Sequence, residues 1–423
     1  MNEKKKFWRY ENWMVMILMC TFGFVMFDRF AIATLAPFMG DIGMGPEKLG
    51  FVMSAFALSW GIAGYVGAAI ADVTANKKRV LWITVLCFSV CSFLTGLAQS
   101  FAMLVGIRLL MGLFEGPVMP VQQAFALAQS TPSRRGFNMG LITTTSVGLI
   151  SSLLGPIILI ALYKVIGWRS TFFMTLLPGV IIAFLIYRVL KEPDMTKVAG
   201  SVSKEDKVSF RDSLVILKNR NVIVSLIYSI FIISWYVSML TFTPLYLMNV
   251  KLSALAAENQ GAAATVMSLI MAAFGAGAII WGMVVPAWSD KVGRKPMAIL
   301  FSLLAAIIAP VGFLVFDAPW ALAVCAFFGW CGAGVFPLYL VAIPAESVDP
   351  KYATSAIGVV QLVGEIVGGV IGVAIAGMLG GMFGLDASLI FCACCMGVAF
   401  LVAFGYYESA PLVVARRKAA VAK

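Results

Sequence analysis

Five ionisable side chains lie inside long apolar stretches of the sequence: Asp28, Arg29, Arg108, Glu115 and Glu365. A charge at membrane depth is costly and usually has a functional role. A guanidinium keeps its charge in a low-dielectric cavity and offers a planar fork that binds a carboxylate through two hydrogen bonds. Carboxyl groups beside it can take up or release protons. These residue types together predict an anion-binding site that is coupled to proton transfer.

Helix geometry, with about 1.5 Å of rise per residue, sets the expected depth of these charges. Arg29 and Arg108 are each expected roughly 10–15 Å from the outer end of a membrane helix, and Glu365 near the middle of one. Glu115 follows Arg108 by two turns on the same face. Asp28 points about 100° away from its neighbour Arg29, so one of the two is expected to face an adjacent helix. A structural ion-pair cluster is the alternative interpretation of the first four charges.

Proton coupling in this chain has to use carboxyl groups, because the sequence contains no histidine. A substrate that occupies an arginine withdraws its stabilisation from a neighbouring acid and so favours the protonated acid. The eight cysteines are scattered without zinc-type spacing, so no metal or cofactor is expected. No paired nucleophile and base and no phosphate-binding glycine loop occurs, and an enzyme is therefore not expected.

Composition assigns the chain to the membrane proteins. Of its 423 residues, 61% are hydrophobic and 12% charged, against about 45–50% and about 25% in soluble proteins. A helix needs about 20 apolar residues to cross a bilayer. Twelve stretches meet this requirement: 13–39, 49–71, 80–98, 101–127, 136–162, 169–190, 222–249, 261–288, 296–316, 319–343, 353–381 and 386–408. We therefore predict an all-α membrane protein with 12 transmembrane helices.

The positive charges indicate the orientation of these helices. The net charge is +11, and 25 of the 31 Lys and Arg residues fall on the side of the N-terminus. Because cytoplasmic loops are enriched in Lys and Arg, both termini are expected in the cytoplasm. The surplus of positive charge thus reflects the orientation in the membrane and gives no reason to expect a nucleic-acid partner. The first apolar stretch is too long for a cleavable signal peptide.

A duplicated unit is indicated by three pairs of residues that share one offset. The members of each pair are 218 positions apart: Asp72 and Asp290, Pro132 and Pro350, Gly140 and Gly358. A long polar stretch at 191–221 divides the apolar stretches six and six. We therefore expect two pseudo-symmetric six-helix bundles, at 1–190 and 222–423, joined by a cytoplasmic linker at 191–221.

The loop after the eighth stretch, Asp290-Lys-Val-Gly293-Arg294-Lys295, resembles the signature loop of the major facilitator superfamily. So do Gly148 with Gly155-Pro156, and Gly167-Trp168-Arg169. In that superfamily the loop braces one lobe when the cytoplasmic gate closes, which implies gating roles for Asp72, Asp290, Gly293 and Arg294. The N-terminal copy has Val73 and Ala75 where the superfamily usually has Arg and Gly, so its brace is expected to be weaker.

Two further motifs, Asp28-Arg29 with Ala36-Pro37 and Arg108-x6-Glu115-Gly-Pro-x-x-Pro120, resemble the anion:cation symporter family. The resemblance implies anion binding by Arg29 and Arg108 and protonation of Asp28 and Glu115. Sugar-acid members tend to carry Asn at the positions of Gln361 and Glu365. The acid at Glu365 is therefore a feature in which this sequence differs from those members. It is open whether it titrates, binds a substrate hydroxyl or amino group, or pairs with Arg29 or Arg108 across the lobes.

Further polar or aromatic side chains in the predicted helices are candidates for the substrate cavity, with core packing as the alternative for each: Tyr65, Gln122, Gln123, Trp235, Tyr236, Trp330 and Tyr339. We predict a secondary active transporter that imports an organic carboxylate with protons by alternating access. We expect it in a bacterial-type inner membrane, as a monomer whose partners are the organic anion, protons and lipid. The alternatives are an organic anion exchanger or facilitator, or an efflux pump of the same fold.

Overall fold

The computed structural model describes residues 2–73, 76–193, 214–349 and 352–421, and every secondary-structure element within these ranges is helical. Ten helices of this part of the chain are long and apolar enough to cross a membrane. They are Tyr10–Phe38, Lys77–Gly96, Phe101–Gln129, Arg135–Val189, Arg220–Lys251, Gln260–Val292, Arg294–Val315, Pro319–Ser347, Ser355–Phe383 and Leu385–Ala403.

Within these stretches, α-helix alternates with short π-helical and 3-10 segments. The α-helices are α1 Asn2–Leu35, α2 Pro46–Val73, α3 Lys77–Gly96, α4 Phe101–Glu115, α5 Val118–Gln129, α6 Arg135–Gly140, α7 Gly155–Val189, α8 Arg220–Tyr246, α9 Ser253–Glu258, α10 Gln260–Val292, α11 Arg294–Val315, α12 Pro319–Gly329, α13 Ile343–Ser347, α14 Ala353–Val363, α15 Val373–Phe383, α16 Leu385–Ala403 and α17 Pro411–Val421. The π-helical segments are Leu141–Thr145, Val147–Leu154, Leu247–Lys251, Leu338–Ala342 and Gly364–Gly372. The 3-10 segments are Ala36–Phe38, Gly40–Ile42, Pro132–Arg134, Leu214–Lys218 and Trp330–Val335.

The number of spans differs from the predicted twelve for two identifiable reasons. The predicted helices 136–162 and 169–190 fall in one uninterrupted stretch, Arg135–Val189. The predicted helix 49–71 falls in α2, which ends at the edge of the described residues and is not among the ten. The number twelve, the boundaries at 190 and 222 and the cytoplasmic position of the termini therefore stay predictions. Most of the predicted linker, residues 194–213, lies outside the described residues.

The joint inside the Arg135–Val189 stretch is a single glycine with a counterpart later in the chain. Gly167 has φ +75° and ψ 168°, which breaks the helix without a loop. Gly384, which separates α15 from α16, has φ +89° and ψ 163°. A side chain at this φ would be strained, whereas glycine adopts it freely. The two turns are 217 positions apart, one fewer than the offset of 218 in the sequence repeat.

We call residues 10–193 the N-half and residues 214–421 the C-half. The two halves meet where α2 crosses α15 at Gly50 and Gly377. A Cβ atom built on Gly50 would lie 2.9 Å from the Cα atom of Gly377. The Ser54 hydroxyl, on the same helix as Gly50, donates to the carbonyl of Val370 at 2.7 Å. The halves thus touch backbone to backbone, and this close packing positions the site between them.

In each half, a carboxylate near the C-terminal end of that half binds the N-terminus of one of its helices. Glu192 accepts hydrogen bonds from the backbone N–H groups of Lys77 and Lys78, at 2.5 and 3.0 Å. Glu408 accepts from those of Arg294 and Lys295, at 2.8 and 3.4 Å. A carboxylate there satisfies N–H groups that have no partner within the helix and complements the helix dipole. The recurrence of this arrangement in both halves supports the duplication.

Candidate functional site

Arg29 and Glu365 form an ion pair that joins the two halves. Arg29 lies on α1, and Glu365 lies in the π-helical segment Gly364–Gly372. Nη2 of Arg29 donates to Oε2 of Glu365 at 3.2 Å. The two side chains are 5% and 13% exposed, so water screens the pair poorly. The structure thus selects Arg29 as the partner of Glu365 from the alternatives that the sequence left open.

Aromatic rings enclose the Arg29 guanidinium. Its Cζ atom lies 4.6 Å from the ring centroid of Trp60, 5.3 Å from that of Phe56 and 5.7 Å from that of Phe30. A cation is attracted to the face of an aromatic ring, and more strongly where water is excluded. These rings therefore stabilise the charge of Arg29 and fix its position without using its hydrogen-bond donors.

Tyr236 on α8 continues this aromatic wall into the C-half. Its ring centroid lies 6.2 Å from that of Phe30, 5.2 Å from that of Trp330 and 4.9 Å from that of Phe336. Tyr236 also interacts electrostatically with both Arg29 and Glu365. Of the predicted cavity residues, Tyr236 is thus brought near the ion pair, and Trp330 packs behind it.

Arg108 occupies a different place, inside the N-half. It is fully buried, and its Nη1 donates to the backbone carbonyl of Asp28 at 3.1 Å. The Asp28 carboxylate accepts from the Ser92 hydroxyl at 2.9 Å. Asp28 thus faces α3 while Arg29 faces the C-half, as their adjacency predicts. Arg29 and Arg108 thus have different partners, Arg29 at the contact between the halves and Arg108 within the N-half.

Glu115 connects the surroundings of these two arginines. It is fully buried, and neither of its carboxyl oxygens has a hydrogen-bond partner. It interacts electrostatically with Asp28, Arg108 and Arg29. Buried polar atoms are nearly always hydrogen-bonded in folded proteins. Nε and Nη2 of Arg108 and Oδ2 of Asp28 also lack partners, so this cluster has free capacity for protons, water or a ligand.

The remaining predicted cavity residues fall into four groups. Gln361 donates from Nε2 to the sulfur of Met119 at 3.4 Å and so also links the halves. Gln122 is fully buried with both amide atoms unpartnered, whereas its neighbour Gln123 is partly exposed. Trp235 and Tyr339 are buried in the C-half, where they contact Trp330 and Tyr228. The side chain of Tyr65 lies outside the described residues.

The predicted gating loop of the C-half forms a closed network. Arg294 contacts Glu346 through Nη2 at 2.8 Å and Nε at 3.3 Å, and its Nη1 contacts Asp290 at 2.7 Å. Gly293 has φ +125°, and a Cβ atom there would clash with the Glu408 carboxylate. The side chain of Asp72, the predicted counterpart of Asp290, lies outside the described residues.

Several residues of the site escaped the sequence analysis. Trp60 and Phe56 carry a signal in hindsight, because two aromatic residues four positions apart share one helix face. Glu192 follows the helix predicted at 169–190, and Glu408 is the last residue of the helix predicted at 386–408. Glu346 had no signal of its own, because nothing in its neighbourhood identifies Arg294 as its partner.

Comparison with known proteins agrees with this architecture. Residues 18–257 and 252–422 match the family model of the Major Facilitator Superfamily. A probable sulfoacetate transporter of Cupriavidus necator is 30% identical over 161 residues, 38% of this chain and 37% of the relative. The hexuronate transporter of Bacillus subtilis is 28% identical over 167 residues, 39% of either chain. The chain thus spans about two fifths of the length of these curated relatives.

A solved structure supports the fold over nearly the whole chain. A bacterial homologue of the human lysosomal transporter Spinster, in an inward-facing and unoccupied conformation, aligns with a TM-score of 0.75. The alignment covers 94% of this chain and 98% of that chain at 17% identity. At this identity the similarity concerns the fold alone.

Proposed function

Because the chain belongs to the Major Facilitator Superfamily, whose members matched here are membrane transporters, we propose that it imports an organic carboxylate together with protons. The observation that carries the proposal is the buried guanidinium of Arg29 at the contact between the halves. In a carrier that works by alternating access, the substrate site lies near the bilayer midplane between the two repeats. The names of the two curated relatives, a probable sulfoacetate transporter and a hexuronate transporter, favour an acidic substrate.

Arg29 has the donors that a carboxylate needs. Its Nε has no hydrogen-bond partner, and its contact with Glu365 uses Nη2. A carboxylate that approaches the edge formed by Nε and Nη2, in the plane of the guanidinium, can therefore form two parallel hydrogen bonds once Glu365 has moved away. The enclosing rings restrict the guanidinium, so little conformational freedom is lost when the substrate binds.

Asp28 and Glu115 are the proposed proton carriers. Glu115 interacts with both arginines, so a carboxylate bound to Arg29 adds a negative charge near it. A like charge nearby favours the protonated form of an acid. Substrate and proton thereby favour each other's binding, which is the thermodynamic condition for symport. The Asp28 carboxylate, one residue from Arg29, is held by Ser92 and stays close to the same charges.

The topology proposed for this carrier has twelve helices with both termini in the cytoplasm, in a bacterial inner membrane. The excess of Lys and Arg on one side of the predicted helices supports this orientation. The bundles proposed at 1–190 and 222–423 are supported by the equivalent glycine turns and by the carboxylates that hold the helix starts in both halves. We propose a monomer as the transporting unit.

The test is transport by the purified chain in proteoliposomes. Sulfoacetate, galacturonate and galactonate are supplied outside, with and without an inward proton gradient, and the internal pH is recorded. We expect accumulation of at least one carboxylate above its external concentration, accompanied by acidification of the lumen. Protein-free liposomes are the control. Transport of a lipophilic organic cation with no response to any carboxylate would instead assign the chain to the efflux pumps.

A further inference from the structure

The ion pair at the substrate site has no net charge, and this restricts what can bind there. Arg29 and Glu365 are 3.2 Å apart and nearly buried. A receptor for a simple anion is expected to keep a surplus positive charge. Here the carboxylate of Glu365 already binds the guanidinium of Arg29, so an incoming carboxylate has to displace a carboxylate of the protein itself.

A simple carboxylate that displaced Glu365 would create an uncompensated charge. Arg29 would exchange one carboxylate for another and gain little. Glu365 would then be left nearly buried beside a second negative charge, and leaving one partner of a buried ion pair alone is strongly unfavourable. Tyr236 and Tyr339, which interact with Glu365, are neutral side chains and cannot replace the lost cation.

A substrate with a cation of its own removes this penalty. Its carboxylate would bind the fork of Arg29, and its cation would bind Glu365, so that every charge keeps a partner. The site is also suited to a cation, because Tyr236, which is within electrostatic range of Glu365, packs against the rings of Trp330 and Phe336. Aromatic faces attract ammonium groups, including methylated ones that form no strong hydrogen bonds.

We propose that the substrate class is the amphoteric carboxylates, compounds that carry an ammonium group close to the carboxylate, and that Glu365 binds this ammonium group. The inference rests on the proposed function, since it assumes that Arg29 binds the substrate carboxylate. It assigns to Glu365 the second of the roles that the sequence left open, and the ion pair with Arg29 is the state of the site without substrate.

The experiment uses pairs of compounds that differ by the amino group. Uptake of the labelled carboxylate that the transport test identifies, by the full chain in proteoliposomes, is competed with gluconate and 2-amino-2-deoxygluconate, and with phenylacetate and phenylglycine. For the wild type we expect the amino member of a pair to compete at least about 10-fold better. In Glu365→Gln this preference should disappear or reverse, because the neutral amide no longer needs a cation. Glu365→Asp, which keeps the charge, should keep the preference.

Glu258→Gln is the matched control, because Glu258 is exposed at the end of α9, and it should leave the preference unchanged. A wild type that prefers the plain member, or a Glu365→Gln variant that keeps the amino preference, would overturn the inference. The inference would also be overturned if Glu365→Gln transported plain carboxylates with one proton fewer per substrate than the wild type, because Glu365 would then be a proton site. Transport of plain carboxylates alone leaves the proposed function intact and overturns the inference, whereas failure to transport any carboxylate, plain or amino-bearing, contradicts the proposed function.

Discussion

The two buried arginines of the N-half have the same chemistry but different partners. Arg29 contacts a carboxylate of the other half, whereas Arg108 contacts a backbone carbonyl of its own half. When the halves separate, the first contact must break and the second need not change. Both side chains are arginines, so residue type does not tell which of them exchanges partners. Their position relative to the boundary between the halves does.

The largest expected effect comes from replacing the fork of Arg29. Arg29→Lys keeps the charge but loses the two parallel hydrogen bonds. We expect the Kd for the transported carboxylate to rise at least about 100-fold, which corresponds to about 2.8 kcal/mol. Arg108→Lys should raise it by less than about 10-fold. Calorimetric titration of both variants measures the difference, and equal losses would show that both arginines bind the substrate directly.

Glu115→Gln separates proton coupling from binding. The amide has nearly the same shape, but it cannot release a proton. We expect accumulation driven by a proton gradient to fall to the level of protein-free liposomes, while exchange of labelled for unlabelled substrate across the membrane continues. The two assays are run on the same preparation, with Glu258→Gln for comparison. A normal response of Glu115→Gln to the gradient would remove Glu115 from the proton path.

The smallest effects distinguish the surroundings of the two arginines. Trp60→Leu removes one ring from Arg29, a cation–π interaction of about 0.5–2 kcal/mol, and should raise the substrate Kd several-fold. Ser92→Ala removes a hydrogen bond to Asp28 and should lower the free energy of unfolding by about 1 kcal/mol with no change in Kd. Thermal unfolding and ligand titration check both. A reversed pattern would mean that Asp28, and not Arg29, lies at the substrate.

The sequence predicted the charges of the site better than their partners. Periodicity alone indicated that Asp28 and Arg29 point apart, and both side chains do so. The sequence could not predict that Arg29, and not Arg108, pairs with Glu365. This pairing depends on how α1 and the Gly364–Gly372 segment are rotated about their axes where they face each other across the boundary between the halves. The same holds for the rings around Arg29, which come from two helices.

The helices themselves were predictable where a polar loop separates them. The turn at Gly167 was placed between two predicted helices, but its compactness was not foreseen, because hydropathy does not report that one glycine can replace a loop. The carboxylates Glu192 and Glu408 were missed for a related reason. Their partners are backbone N–H groups on helices more than a hundred residues earlier in the sequence, and backbone groups leave no mark in a sequence pattern.

The crossing of α2 and α15 at two glycines affects how the two halves can move against each other. Because Gly50 and Gly377 place bare backbone against bare backbone, no side chains interlock at that point and none has to be withdrawn when the surfaces slide. Sliding at this crossing is therefore not opposed by interlocked side chains, whereas polar contacts such as Ser54 with Val370 and Arg29 with Glu365 must break when the halves separate. A substrate that replaced Glu365 on Arg29 would therefore remove one of the polar contacts that hold the halves together.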